Sequence, residues 1–126
     1  MGWRQEFTIR MKLPSLNEYI TANRRNKYAG AKMKREIEDA IIWQIKAAGL
    51  RRIEYPVNIT FHWQEGNRKR DKDNVASGKK YILDALQKAG VLPNDNNKYI
   101  NAFKDLFQYG DEWAVRVTIL ECPESG

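Results

Sequence analysis

The chain has 126 residues, a formal net charge of +6, 42% hydrophobic and 30% charged residues, which fits one folded domain with a real core and is too short for two independent ones. A sequence pI near 9.5 points to a polyanionic partner. With no apolar run near the ~18 residues of a spanning helix, no signal-like segment and no lipidation motif, the expectation is a soluble, cytoplasmic protein without a membrane partner.

Phe7, Ile9, Met11 and Leu13 alternate with Thr8, Arg10 and Lys12, the period of a half-buried strand, and Pro14 stops it. Ser15 to Gly30 is rich in Asn, Arg and Tyr and reads as a loop with short helical turns, its side chains suited to phosphate and sugar contacts. Met33, Ile37, Ala40, Ile41, Ile45 and Ala48 fall at helical spacing, predicting a first helix from roughly Ala31 to Ala48 with Gly49 as its stop. Ile42 and Trp43 widen its apolar surface. Val57, Ile59, Phe61 and Trp63 form a second alternating strand that places His62 on the less buried face.

A second helix carries Val75, Ile82, Ala85, Leu86 and Ala89 on its buried stripe and ends at Gly90, with Gly78 leaving its start unsettled. Asn94 to Asn97 makes a turn, Tyr99 to Phe107 a third strand, and Trp113, Val115, Val117 and Ile119 a fourth, joined to the third by a tight turn at Gly110 and Asp111. The order β-α-β-α-β-β implies a single α/β (α+β) domain over residues 1–126: a mixed four-stranded sheet with two main helices mostly on one face.

Chemistry concentrates between Arg70 and Asp95. Asp71 and Asp73 stand two residues apart, directly after Arg68, Lys69 and Arg70. Carboxylates this close repel one another, and a hard divalent ion, Mg²⁺ or Mn²⁺, relieves the repulsion. Such an ion polarises a phosphodiester and activates water, while surrounding cations attract the polyanionic backbone. At 100° per residue Asp73, Ser77, Lys80 and Asp84 share one line of the second helix, so that Lys80 lies over the acids or pairs with Asp84. The bland alternative makes Asp71 and Asp73 helix caps and partners of local cations. An EF-hand starting at Asp71 fails, because Val75, Ala76 and Ile82 stand where a ligand, Gly and Glu belong. Neither a Walker A loop nor a dinucleotide fingerprint is present. The only cysteine, Cys122, permits no intrachain disulfide, and the single histidine argues against His/Cys zinc sites, a His-dependent nuclease and a Ser-His-Asp triad.

Taken together, Leu13-Pro14-Ser15-Leu16-Asn17-Glu18-Tyr19, Arg70-Asp71-Lys72-Asp73-Asn74, Lys79-Lys80-Tyr81-Ile82-Leu83-Asp84-Ala85-Leu86 and Gly90-Val91-Leu92 running into Asp95 resemble the RusA family of Holliday-junction resolvases, small phage- and prophage-associated endonucleases. The resemblance covers most of the chain. It implies a Mg²⁺-dependent homodimer that recognises four-way DNA junctions by shape and nicks paired strands symmetrically in recombination and repair. The family's catalytic carboxylates carry over to Asp71, Asp73 and Asp95, which would hold metal, and its site lysine to Lys80, ahead of Lys79. Two departures stand out: the gap between the second aspartate and the lysine is longer here than in the better-known bacterial member, and Asn94 replaces the first of two paired acids in the site-closing turn. Arg24, Arg25, Lys27, Arg68, Lys69, Arg70 and Lys79 are the expected DNA-binding cations. The competing expectations are a non-catalytic branched-DNA-binding protein and a nuclease for other branched substrates.

Overall fold

The structure is a computed structural model that describes residues 3–94 and 98–122. Four strands, β1 (Arg4–Ile9), β2 (Val57–Glu65), β3 (Ile100–Tyr109) and β4 (Ala114–Glu121), make one mixed sheet in the order β1-β4-β2-β3. β4 runs antiparallel to both β1 and β2, and β3 lies parallel to β2 at the edge. Alternation decides which face is buried. Phe7 and Ile9, Val57, Ile59, Phe61 and Trp63, and Val115, Val117 and Ile119 all point into the core. Thr8, Asn58, Thr60, His62, Gln64 and Thr118 lie on the opposite, half-buried face.

The core face is covered by α2 (Lys27–Ala48), through Ile37, Ile41 and Ile45, and by α4 (Lys79–Lys88), through Tyr81, Ile82, Leu83, Ala85 and Leu86. The expected mixed four-stranded sheet with its main helices on one face is therefore the observed architecture. Gly49 and Gly90 close the two helical segments with φ of 67° and 79°, the left-handed conformation glycine adopts without steric cost.

Five details differ from the sequence reading. The first strand, expected from Phe7 to Leu13, spans Arg4–Ile9, so Met11 and Leu13 lie beyond it. The stretch expected as a loop is a helix, α1 (Leu16–Arg25), started by Ser15, whose hydroxyl accepts the Glu18 N–H. A single residue, Asn26, ends α1 and caps α2, accepting the Tyr28 N–H, so α2 begins four residues earlier than expected. The two helices cross so closely at Gly30 that a Cβ there would stand 2.9 Å from the Asn23 Cα. The second predicted helix is broken into α3 (Lys72–Ala76) and α4, because the Ser77 hydroxyl donates back to the Asn74 carbonyl and accepts the Leu16 N–H while Gly78 follows. Finally, β3 and β4 are not a hairpin: after Gly110 the chain crosses to the far side of β2, and the Gly110 N–H donates to the Glu65 carbonyl at the end of that strand.

Candidate active site and nucleic-acid interface

β2 ends on Glu65, and the loop that follows is pinned to it. The Arg70 guanidinium donates two parallel bonds to the Glu65 carboxylate, at 2.9 and 2.8 Å, and a third to the Leu13 carbonyl at 2.8 Å. The side chains of this pair are only 13% and 5% exposed, and Glu18 of α1 comes within 3.8 Å of the same guanidinium. Planar bidentate geometry suits Arg and no other cation. Arg70, expected among the DNA-binding residues, is thus taken up in holding the loop. Arg68 and Lys69 remain exposed.

This anchor sets the entry to α3. Asp71 stands at its N-cap position without making a side-chain cap hydrogen bond, and Asp73 lies in its first turn. Both are exposed, and neither carboxylate pairs with a described cation. The capping explanation therefore does not account for Asp71. α1 closes over the other side of the motif, where the Asn17 side-chain amide donates to Asn74 at 3.1 Å and the Leu16 N–H to Ser77.

Lys79 and Lys80, consecutive on α4, point about 100° apart and have different partners. The Lys79 ammonium lies 2.7 Å from Asp105 of β3, whose other carboxylate oxygen accepts the Trp63 indole N–H at 2.9 Å. It also sits over the rings of Phe61 and Phe103, 5.3 and 4.8 Å from their centroids. Lys80 pairs with Asp84 at 3.1 Å, and Lys34 of α2 approaches the same carboxylate at 3.6 Å. Both alignments foreseen for Lys80 place it on this helix face; the structure supplies the pair with Asp84, whose side chain is only 16% exposed.

Asp105 went unnoticed in the sequence, yet it interrupts an otherwise aromatic strand face: Phe103, Asp105, Phe107 and Tyr109 are consecutive on the side that pairs with Ile59 to Glu65. That irregularity was the available signal. Lys72 of α3 lies over Phe107 and Tyr109, 5.6 and 5.5 Å from the centroids, and Arg68 over Tyr109 at 4.3 Å. The remaining expected cations, Arg24, Arg25 and Lys27, are exposed where α1 meets α2, at the end of α1 away from its contacts with Asn74 and Ser77.

Asp95, the third expected carboxylate, lies outside the described residues. Among the described residues no three His, Cys, Asp or Glu side chains converge as a metal site. Asp71 and Asp73 are exposed oxygen donors of the kind a hard divalent ion takes: Mg²⁺ commonly uses one or two protein carboxylates and keeps water on its other positions. No helix among the described residues is long and apolar enough to cross a membrane. No protein-family model matches the chain, and no curated protein matches it.

Proposed function

We propose that the chain is a divalent-metal-dependent endodeoxyribonuclease that resolves four-way DNA junctions as a homodimer, by paired symmetric nicks. The observation that carries the reading is the pair Asp71 and Asp73, exposed and without a described cationic partner or cap bond, inside a chain of net charge +6. Asp71 and Asp73 stand at the N-terminus of α3, where negative charge is favourable, but neither is spent on a cap bond or on an ion pair with the neighbouring Arg68, Lys69 or Lys72. The motif order shared with the RusA family supports the junction as substrate.

In this reading Asp71, Asp73 and Asp95 hold Mg²⁺, with Mn²⁺ as a substitute. When bound, the ion polarises the scissile phosphate and favours deprotonation of the attacking water. Arg70 fixes the loop that leads into the two described carboxylates, both of which are exposed. Lys80 places positive charge beside the phosphate, stabilising the additional negative charge of the transition state. Arg24, Arg25, Lys27, Arg68 and Lys69 bind backbone phosphates, so affinity falls steeply with salt. Two copies are required because a two-fold junction presents two strands to be cut.

The test is cleavage of a synthetic four-way junction by purified protein in Mg²⁺, beside linear duplex and the Asp73→Asn variant. Symmetric nicks that the variant loses, with junction binding retained, are expected. Tight junction binding with no cleavage in Mg²⁺ or Mn²⁺ would overturn the enzyme reading in favour of a branched-DNA-binding protein.

A further inference from the structure

The core-side face of β3 is unusual for an edge strand. Phe103, Phe107 and Tyr109 recur on it at every second residue apart from Asp105, so neighbouring side chains stand about 6.6–6.8 Å apart along the strand. Phe103 is 43% exposed and Phe107 and Tyr109 are half-buried, so the helical layer does not fully cover this face. The first of these rings is also held firmly. Phe103 packs against the buried Phe61 at a centroid distance of 6.0 Å, and Phe61 stacks on Trp63 at 5.5 Å.

Each exposed ring carries a cation. Lys79 lies over Phe103, Lys72 over Phe107 and Tyr109, and Arg68 over Tyr109. Lys72 and Arg68 are exposed, so their charges can leave the rings without stranding a buried partner. Asp105 does not spoil the positive surface, because Lys79 and the Trp63 N–H occupy both its oxygens.

We propose that this strip binds an unpaired stretch of DNA, with bases stacked on Phe103 and Tyr109 and the backbone held by Lys72 and Arg68. A base presents an apolar face to the ring; at Tyr109 the phosphate beside it takes the displaced Lys72 or Arg68 cation, whereas Lys79 stays on Asp105 and Phe103 offers the part of its ring that is open to solvent. A single strand supplies flat rings and negative charge in alternation along its length, which is what this row of rings and cations complements. The inference rests on the nucleic-acid part of the function proposed above and adds to it: strands opened at a branch point, rather than intact duplex arms, are what this face takes.

The experiment uses full-length protein in EDTA, where no cleavage occurs, and fluorescence anisotropy with a labelled oligothymidine and the same backbone lacking its central bases. The base-bearing strand is expected to bind about tenfold more tightly. Phe103→Leu and Tyr109→Leu should each shrink that ratio severalfold while leaving affinity for the abasic strand unchanged. Equal affinity of the natural protein for both strands, or a ratio unmoved in both variants, would overturn the proposal. Should either variant fail to fold by circular dichroism, the natural protein is cross-linked to a strand carrying 5-iododeoxyuridine: adducts at Phe103, Phe107 or Tyr109 support the strip, and adducts only elsewhere refute it. Junction cleavage in Mg²⁺ is scored separately. Cleavage with no base preference removes the stacking inference alone, and base preference without cleavage removes the nuclease reading alone.

Discussion

Adjacent lysines illustrate how one residue's place on a helix decides its role. Lys80 is 60% exposed and tethered by Asp84, whereas the Lys79 side chain is 22% exposed and bonded to a carboxylate of similar burial. A lysine that must follow a phosphate through a reaction needs mobility, and one that braces a strand against a helix needs a fixed partner. Lys80→Ala is therefore expected to slow single-turnover junction cleavage about 10²-fold with little change in binding, the usual effect of losing one charge-stabilising donor. Lys79→Ala should instead cost about 1–3 kcal/mol of stability, because Asp105 loses its charged partner, a loss that urea denaturation would read directly. A variant pattern with the two effects exchanged would reassign the site lysine to Lys79.

Between β2 and α3 the chain is tied to other elements by the hydrogen bonds of a single part-buried side chain, and that makes Arg70 an element-scale residue. Its three hydrogen bonds join the end of β2, the segment after β1 and the loop leading to Asp71. Arg70→Ala leaves the Glu65 carboxylate, itself only 5% exposed, without its cation, and stability should fall by about 3–5 kcal/mol. Arg70→Lys should recover little of this, since an ammonium cannot make the parallel pair of bonds; chemical denaturation of both variants decides it. None of this was legible in the sequence, where Arg70 looked like one more member of a basic run. The strands and α2 were legible because burial on one face writes period 2 or 3.6 directly into residue type. α1 was hidden because none of its residues is buried; its only clear mark was Ser15 followed three residues later by Glu18, the pattern of a capped helix start. The β3 position was hidden for a different reason. A turn at Gly110 looks alike whether the next strand pairs with the last or crosses over its neighbour, and only the parallel pairing of β2 with β3 brings Asp105 beside Lys79. At the candidate site, the sequence exposed the carboxylates, but the absence of a cap bond at Asp71 is a matter of rotamer and geometry.

At the scale of the whole molecule, the helical layer is joined by charges whose protonation sets its tolerance of alkali. Glu38 of α2 is buried and bonded to Lys88 of α4, with Lys34 at 3.9 Å from its second oxygen. The hydrogen bond to Glu38 raises the Lys88 pKa above its ordinary value of 10.5. Beside it, burial pushes the Tyr81 phenol up to about 12 from its ordinary 10.0. In both cases the folded chain holds its proton more tightly than the unfolded chain does, so the associated stability is complete below the unfolded values and is lost as pH rises through the folded ones. Unfolding free energy should therefore decline from about pH 10 toward pH 12. Tyr81 separates the two contributions. Its hydroxyl has no hydrogen-bond partner among the described residues, so Tyr81→Phe removes an unsatisfied polar atom and should be neutral or slightly stabilising near pH 7. The same change deletes the ionisable group, so its denaturation midpoint should fall less than that of the natural protein between about pH 7 and about pH 11. Equal losses in the two proteins would assign the alkaline sensitivity to Lys88 and the exposed charges, and would mean that Tyr81 ionises no more reluctantly in the fold than in the open chain.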